Sequence, residues 1–228
     1  MAALAGVDVV FDLDGTLTDP VVGITRCIQH ALAALGESTP PSSTLARFVG
    51  PPLRGTFATL LGTEDEEILS KAIRLYRERF EAVGMLENAP YPDVPGMLEA
   101  LRRRSHRLWV ATSKPEIYAK QILEHFGLDR SFERIYGSEL SGHNSDKADL
   151  LRCLLRTEDL VPASVCMVGD RAQDVLAAHE NGVTAVAVLW GYGTMDELEA
   201  AAPHKIVRSA AELCEYLSGR WPKETDDL

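Results

Sequence analysis

Cysteine is scarce in this chain, and the four that occur, Cys27, Cys153, Cys166 and Cys214, stand far apart with no Cys-x-x-Cys spacing. That leaves no thiolate clip for a soft metal and no disulfide framework. Three of the four lie among apolar neighbours, which reads as buried free thiols in a reducing cytoplasm. Long apolar runs are missing too, so no segment is expected to span a bilayer. The opening Met1–Gly6 lacks the basic start and long apolar middle of a signal peptide, and the expected location is the cytoplasm. Positive charge is short: 23 Lys and Arg stand against 34 Asp and Glu, a net charge of −11. A nucleic-acid surface needs the opposite balance. The basic run Arg102-Arg103-Arg104-Ser105-His106-Arg107 falls where a helix should end, and cations there complement the helix dipole. The histidines, His30, His106, His125, His143, His179 and His204, are scattered, and none pairs with a nucleophile motif.

No repeat or low-complexity tract is visible. What is present is a chain of 228 residues, ample for a sizeable core, whose texture changes twice. The run Val7-Asp8-Val9-Val10-Phe11 reads as a buried strand. A helical stretch follows. Ile24, Ile28, Ala31, Leu32 and Leu35 recur at helical spacing until Gly36, and Leu69, Ala72, Ile73, Tyr76, Phe80 and Val83 form a second stripe. A Thr63-x-x-Glu66 capping box is expected to open that second helix. Between the two, Gly50-Pro51-Pro52-Leu53-Arg54 is expected to be a loop, since paired prolines cannot sit inside a helix. Pro90-Tyr91-Pro92-Asp93 reads as a hinge.

Beyond it strands and helices alternate. Leu108–Ala111, Arg134–Tyr136, Val165–Val168, Val183–Val188 and Lys205–Val207 read as strands, and capping boxes stand at Thr194-x-x-Glu197 and Ser209-x-x-Glu212. Alternation implies a parallel sheet covered on both faces. The expected architecture is an α/β, Rossmann-like parallel-sheet core formed by residues 1–15 and 91–228, with an inserted α-helical cap over 16–90. The polar tail from Ser218 is expected to fray.

Four short motifs fall at expected strand ends, where open parallel sheets bind ligands. Asp12-Leu13-Asp14-Gly15-Thr16 sets two carboxylates where the first strand stops, although like charges in a half-buried site raise each other's pKa. A bound cation, or chemistry that needs both groups, explains why that cost is tolerated. Thr112-Ser113-Lys114-Pro115 brings a hydroxyl and free N–H groups to a helix start, with Pro115 expected in its first turn. Lys147 follows Ser145-Asp146 at another helix start, where a cation is disfavoured unless an anion joins it. Gly169-Asp170-Arg171-Ala172-Gln173-Asp174 adds two acids one helical turn apart. Asp12, Asp14, Asp170 and Asp174 would form one acidic rim, an all-oxygen donor set suited to Mg²⁺.

In this order and over nearly the whole chain, these motifs resemble those of the haloacid dehalogenase superfamily, in its phosphoglycolate phosphatase-like branch with a helical cap. Gly50–Arg54 and Gly191-Tyr192-Gly193 recur in that branch and in related predicted 5′-nucleotidases. The resemblance implies a Mg²⁺-dependent phosphomonoesterase acting on a small phosphorylated metabolite, phosphoglycolate-like, with nucleoside 5′-monophosphates or sugar phosphates as the alternatives. It implies Asp12 as nucleophile, forming an aspartyl-phosphate, and Asp14 as the acid/base, with only its backbone carbonyl toward the metal. Asp12, Asp170 and Asp174 would complete the metal site. Thr112, Ser113 and Lys147 would hold the phosphoryl oxygens. The cap would exclude water and choose the substrate, with Arg54, and less strongly Arg47, meeting a second anionic group. Arg171 is expected in a structural ion pair.

Other activities of the superfamily separate on single residues. A dehalogenase typically lacks the second aspartate, which here is Asp14. A phosphonatase needs a cap lysine for an imine, and Lys71 lies on a long helix rather than in the substrate loop. A β-phosphoglucomutase shares every core motif. Outside the superfamily, a receiver-type phospho-acceptor uses similar groups but stores the phosphoryl group rather than releasing it.

Overall fold

The structure, a computed structural model, describes residues 6–140 and 146–219. The first five residues, His143, Ser145 and the polar tail beyond residue 219 lie outside the described residues. The described residues form the strands β1 Asp8–Phe11, β2 Thr18–Asp19, β3 Ala89–Pro90, β4 Arg107–Pro115, β5 Arg134–Ser138, β6 Val165–Gly169, β7 Thr184–Val188 and β8 Lys205–Val207. The helices are α1 Val21–Leu35, α2 Ser42–Leu45, α3 Leu53–Leu61, α4 Glu66–Ala82, α5 Val94–Arg103, α6 Glu116–His125, α7 Lys147–Thr157, α8 Ala172–Glu180, α9 Met195–Ala200 and α10 Ala210–Gly219.

Six strands form one parallel sheet in the order β5-β4-β1-β6-β7-β8. The chain leaves β1 toward β4 and β5 on one side and later returns to β6, β7 and β8 on the other. β1 is therefore the switch point, the place where a crevice opens beyond the strand ends. The register aligns Phe11 with Val110 on β4 and with Val168 on β6, so the segments after these residues emerge side by side.

Alternation along the central strand builds the two layers. Val9 and Phe11 join an apolar cluster with Val110, Val168 and the helical segment's Ile28, Leu69, Tyr76 and Phe80. Val10 joins the other cluster, with Trp109, Met167, Leu151 of α7 and Val175 of α8. The first cluster runs unbroken from the sheet into the helices α1–α4. Those helices lie in sequence between β2 and β3, a short antiparallel pair in which Thr18 faces Pro90 and Asp19 faces Ala89.

Several local expectations are corrected. The loop of paired prolines ends at Pro52, and Leu53 and Arg54 form the first turn of α3, because proline tolerates the position just before a helix. α4 starts with Asp65 as its cap, accepting from the Glu67 and Ile68 N–H groups, while Thr63 accepts from the Asp65 N–H. Aspartate is the stronger competitor for the two free amides. Pro115 precedes α6 rather than entering its first turn. Among the cysteines, Cys27 and Cys166 are buried, Cys214 is half-buried and Cys153 is exposed. α1 ends as expected at Gly36, whose φ of +80° suits glycine. No described helix is long and apolar enough to cross a membrane.

Candidate active site

The backbone turns sharply after β1. The Asp12 N–H still donates to the Val168 carbonyl at 2.9 Å, and the Leu13 carbonyl then accepts from Leu17 and Thr18. Gly15 adopts a φ of +87°, and a Cβ there would stand 2.2 Å from Asp170 Oδ2. Glycine is required on both counts. Gly193 is as confined, since its Cβ would lie 1.9 Å from the Asp170 carbonyl oxygen. The turn thereby brings the β1 and β6 acids together, and Asp12, Asp14, Asp170 and Asp174 are all buried.

Asp12, Asp170 and Asp174 each offer a carboxylate oxygen within 4.8 Å of the others. At that distance each like-charge pair costs about 3 kcal/mol or more at an effective dielectric of about 20. Lys147, the first residue of α7, answers part of this. Its Nζ lies 2.6 Å from Asp12 Oδ1 and 2.9 Å from Asp174 Oδ1, and it donates to the Ala111 carbonyl at 3.1 Å. Burial pulls the Lys147 pKa down, but the two carboxylates outweigh it and the ammonium is retained. Among the described residues Asp170 accepts from two neutral donors, the Thr16 hydroxyl at 3.2 Å and the Tyr192 N–H at 2.8 Å. Burial, reinforced by Asp174 and Asp12, pushes its pKa up to about 8. Burial raises Asp174 as well, against the opposing pull of Lys147. Three buried, mutually destabilised carboxylates with one cation between them fit a hard divalent ion, which takes oxygen ligands and removes the repulsion.

Asp14 stands apart from that cluster. Its Oδ2 pairs with Lys114 Nζ at 2.8 Å, with both side chains buried, while its Oδ1 is buried with no hydrogen-bond partner among the described residues. Burial raises its pKa and Lys114 holds the rise back. The Lys114 ammonium also lies 4.7 Å from the centroid of the Phe80 ring on α4. Beside Asp14 a cleft, partly open to solvent, is lined by Ile24, Phe48, the Gly50–Leu53 segment, Tyr76, Arg77, Phe80, Ser113, Lys114 and Tyr118. Its walls come from both the sheet edge and the helices between β2 and β3.

A narrower space joins Asp12, Asp14, Thr112, Ser113, Lys147 and Asp174 around one point. Seven of the residues singled out from sequence thus gather at this rim, counting Asp170 through its carboxylate cluster. Arg54 does not join them. It is half-exposed on α3, with its guanidinium engaged by Glu64 and Glu66, and it is not among the cleft-lining residues. Arg47 is exposed beside Phe48. Arg171 pairs with Glu197 at 2.9 Å as expected, and also donates to the Val49 carbonyl at 2.8 Å, tying α8 to the Gly50 loop. Sequence reading passed over Lys114, although it stands inside the Thr112–Pro115 motif. It also passed over Arg77 and the Tyr76, Phe80 and Tyr118 wall, whose helical spacing looks the same whether the stripe faces a core or a cleft.

A family model described as haloacid dehalogenase-like hydrolase matches residues 9–188. A 5′-nucleotidase of Pseudomonas aeruginosa is 46% identical over 216 residues, covering 95% of this chain and 97% of that protein. The tyrosine-protein kinase PtkA of Mycobacterium tuberculosis is 38% identical over 203 residues, 89% of this chain and 68% of its own. A phosphoglycolate phosphatase of Neisseria meningitidis is 30% identical over 224 residues, 95% of each chain. Among solved structures, a predicted phosphatase from Clostridium acetobutylicum superposes with a TM-score of 0.91 at 38% identity, covering 95% of this chain and all of that one.

Proposed function

The chain belongs to the haloacid dehalogenase-like hydrolases, with phosphatase relatives, and from that membership we propose a Mg²⁺-dependent phosphomonoesterase acting on nucleoside 5′-monophosphates. The observation that carries the chemistry is the division of labour between the two β1 aspartates: Asp12 lies in the Lys147 and carboxylate cluster, and Asp14 lies outside it with one free, buried oxygen. Asp12 attacks phosphorus, and the bond from phosphorus to the leaving oxygen breaks. Asp14 in its protonated form donates to that leaving alkoxide. In the second half Asp14, now a carboxylate, takes a proton from water as the water oxygen bonds to phosphorus. The Asp12–phosphorus bond then breaks and releases inorganic phosphate. Thr112, Ser113 and Lys147 hold the equatorial oxygens. Mg²⁺, held by Asp12, Asp170, Asp174 and the Asp14 carbonyl, would neutralise charge on the phosphoryl group when bound.

The substrate class rests on the cleft. Its aromatic Phe48, Tyr76, Phe80 and Tyr118 walls suit a nucleoside better than a two-carbon acid, and the Pseudomonas aeruginosa relative carries the 5′-nucleotidase name. The helices between β2 and β3, within residues 16–90, act in this reading as a cap that closes the cleft. Phosphate release from nucleoside monophosphates, phosphoglycolate and sugar phosphates, with Mg²⁺ and again with EDTA, tests it. Metal-dependent release strongest on nucleotides is expected. Release strongest on phosphoglycolate would replace the substrate class, and an aspartyl-phosphate that persists without phosphate release would refute the hydrolase reading.

A further inference from the structure

Arg77 lines the cleft in company with Tyr76, Phe80, Lys114 and Tyr118, yet its Nε is buried and has no hydrogen-bond partner among the described residues. Other arginines of the same helical segment are paired: Arg26 and Arg79 with Glu87, Arg54 with Glu64 and Glu66, Arg74 with Glu78. The nearby acceptor Glu81 is occupied by the Tyr118 hydroxyl, which donates to it. Lys114, the other cation of the cleft, is engaged by Asp14. A guanidinium N–H withdrawn from water without an acceptor carries a desolvation penalty, and a ligand oxygen would relieve it.

We propose that Arg77 is the specificity-determining residue for the leaving group, selecting phosphomonoesters that carry a hydrogen-bond-accepting oxygen beyond the scissile bond. This rests on the phosphatase reading above. A guanidinium offers donors only and matches paired acceptors through its planar fork. On a nucleotide those acceptors are O6 and N7 of a 6-oxopurine, whereas adenine turns an amino donor toward the same place. On a small acid the acceptor is a carboxylate. The shared chemistry is an oxygen acceptor, and the two sources are separable by substrate.

The test compares two matched pairs, inosine against adenosine 5′-monophosphate and phosphoglycolate against ethyl phosphate, in the unaltered protein, Arg77→Met and Arg77→Lys. Arg77→Met keeps the alkyl stem and loses the donors. In one pair kcat/KM should favour the acceptor-bearing member by about 10-fold or more, and Arg77→Met should erase that ratio mainly through KM. Arg77→Lys should restore it in part. Which pair responds names the source of the oxygen. A ratio near one in the unaltered protein for both pairs, or a ratio that survives Arg77→Met, overturns the proposal. So does an equal loss on all four compounds with a lowered melting temperature, the mark of a structural arginine. Calorimetric binding of the same compounds to Asp12→Asn protein, with and without Arg77→Met, reads recognition without turnover. If no compound releases phosphate, the hydrolase reading falls, while the binding ratios still decide the role of Arg77.

Discussion

The pairing of Asp14 Oδ2 with Lys114 at 2.8 Å, beside a buried Oδ1 without a hydrogen-bond partner among the described residues, gives Asp14 surroundings unlike those of Asp12. Asp12→Asn keeps the shape of the nucleophile and removes its charge, so turnover should fall by at least about 10³-fold while the fold persists, checked by phosphate release and circular dichroism. Lys114→Met acts differently. It leaves a buried carboxylate without its cation and should destabilise the protein by about 3 kcal/mol in denaturant titration. Lys114 also restrains the upward shift that burial imposes on Asp14. Without it Asp14 holds its proton to higher pH, so the alkaline limb of the kcat/KM profile, which needs the protonated form that donates to the leaving group, should move to higher pH. An unmoved limb would remove Asp14 from the acid/base role. The residue types at the rim were legible from the Asp-x-Asp-Gly-Thr and Gly-Asp-x-x-x-Asp spacings. Which acid takes which cation was not, because that choice depends on a lysine 100 residues away.

At the scale of elements, the site depends on turns that admit close approach. The Gly191–Gly193 segment packs on Asp170 and supplies the Tyr192 N–H that fixes its Oδ2. Gly193→Ala should drive this segment off Asp170, costing about 1–3 kcal/mol of stability and about 10–100-fold in Mg²⁺ affinity, measured by thermal melting and calorimetry. An unaltered metal affinity would show that the segment does not position Asp170. The helices themselves were readable, since α1 and α4 follow their apolar stripes. The cap of α4 lies two residues beyond Thr63 because the Thr63 hydroxyl takes the Asp65 N–H and leaves the Glu67 and Ile68 amides to Asp65. α3 was hidden because paired prolines mask a helix that begins right after them.

For the whole molecule, folding gathers Asp12, Asp170 and Asp174 where an extended chain would keep them in water. A carboxyl whose pKa rises on folding favours the folded state below its ordinary value, and that contribution is lost as pH climbs through the folded value. With Asp170 pushed up to about 8, the melting temperature of the metal-free protein should fall as pH rises from about 4 to 8. Mg²⁺ should raise it, by more at pH 8 than at pH 5, since the ion needs the ionised carboxylates. Thermal scans with Mg²⁺ and with EDTA at both values check this. An increment that does not grow with pH would argue against Asp170 as a ligand.

The sequence by itself determined the α/β sheet, the helical segment between β1 and β4, and the acids and cation at strand and helix ends, because periodicity and local turn chemistry act over a few residues. The six-strand order placed Asp12, Thr112 and Asp170 on one edge as that local pattern implied. Only the tertiary structure decided that Lys114 serves Asp14, that Arg54 is engaged by Glu64 and Glu66, and that the Arg77 Nε at the cleft wall has no hydrogen-bond partner among the described residues. Those outcomes turn on which side chains meet across the gap between the helices and the sheet, and distance along the chain carries no record of that meeting.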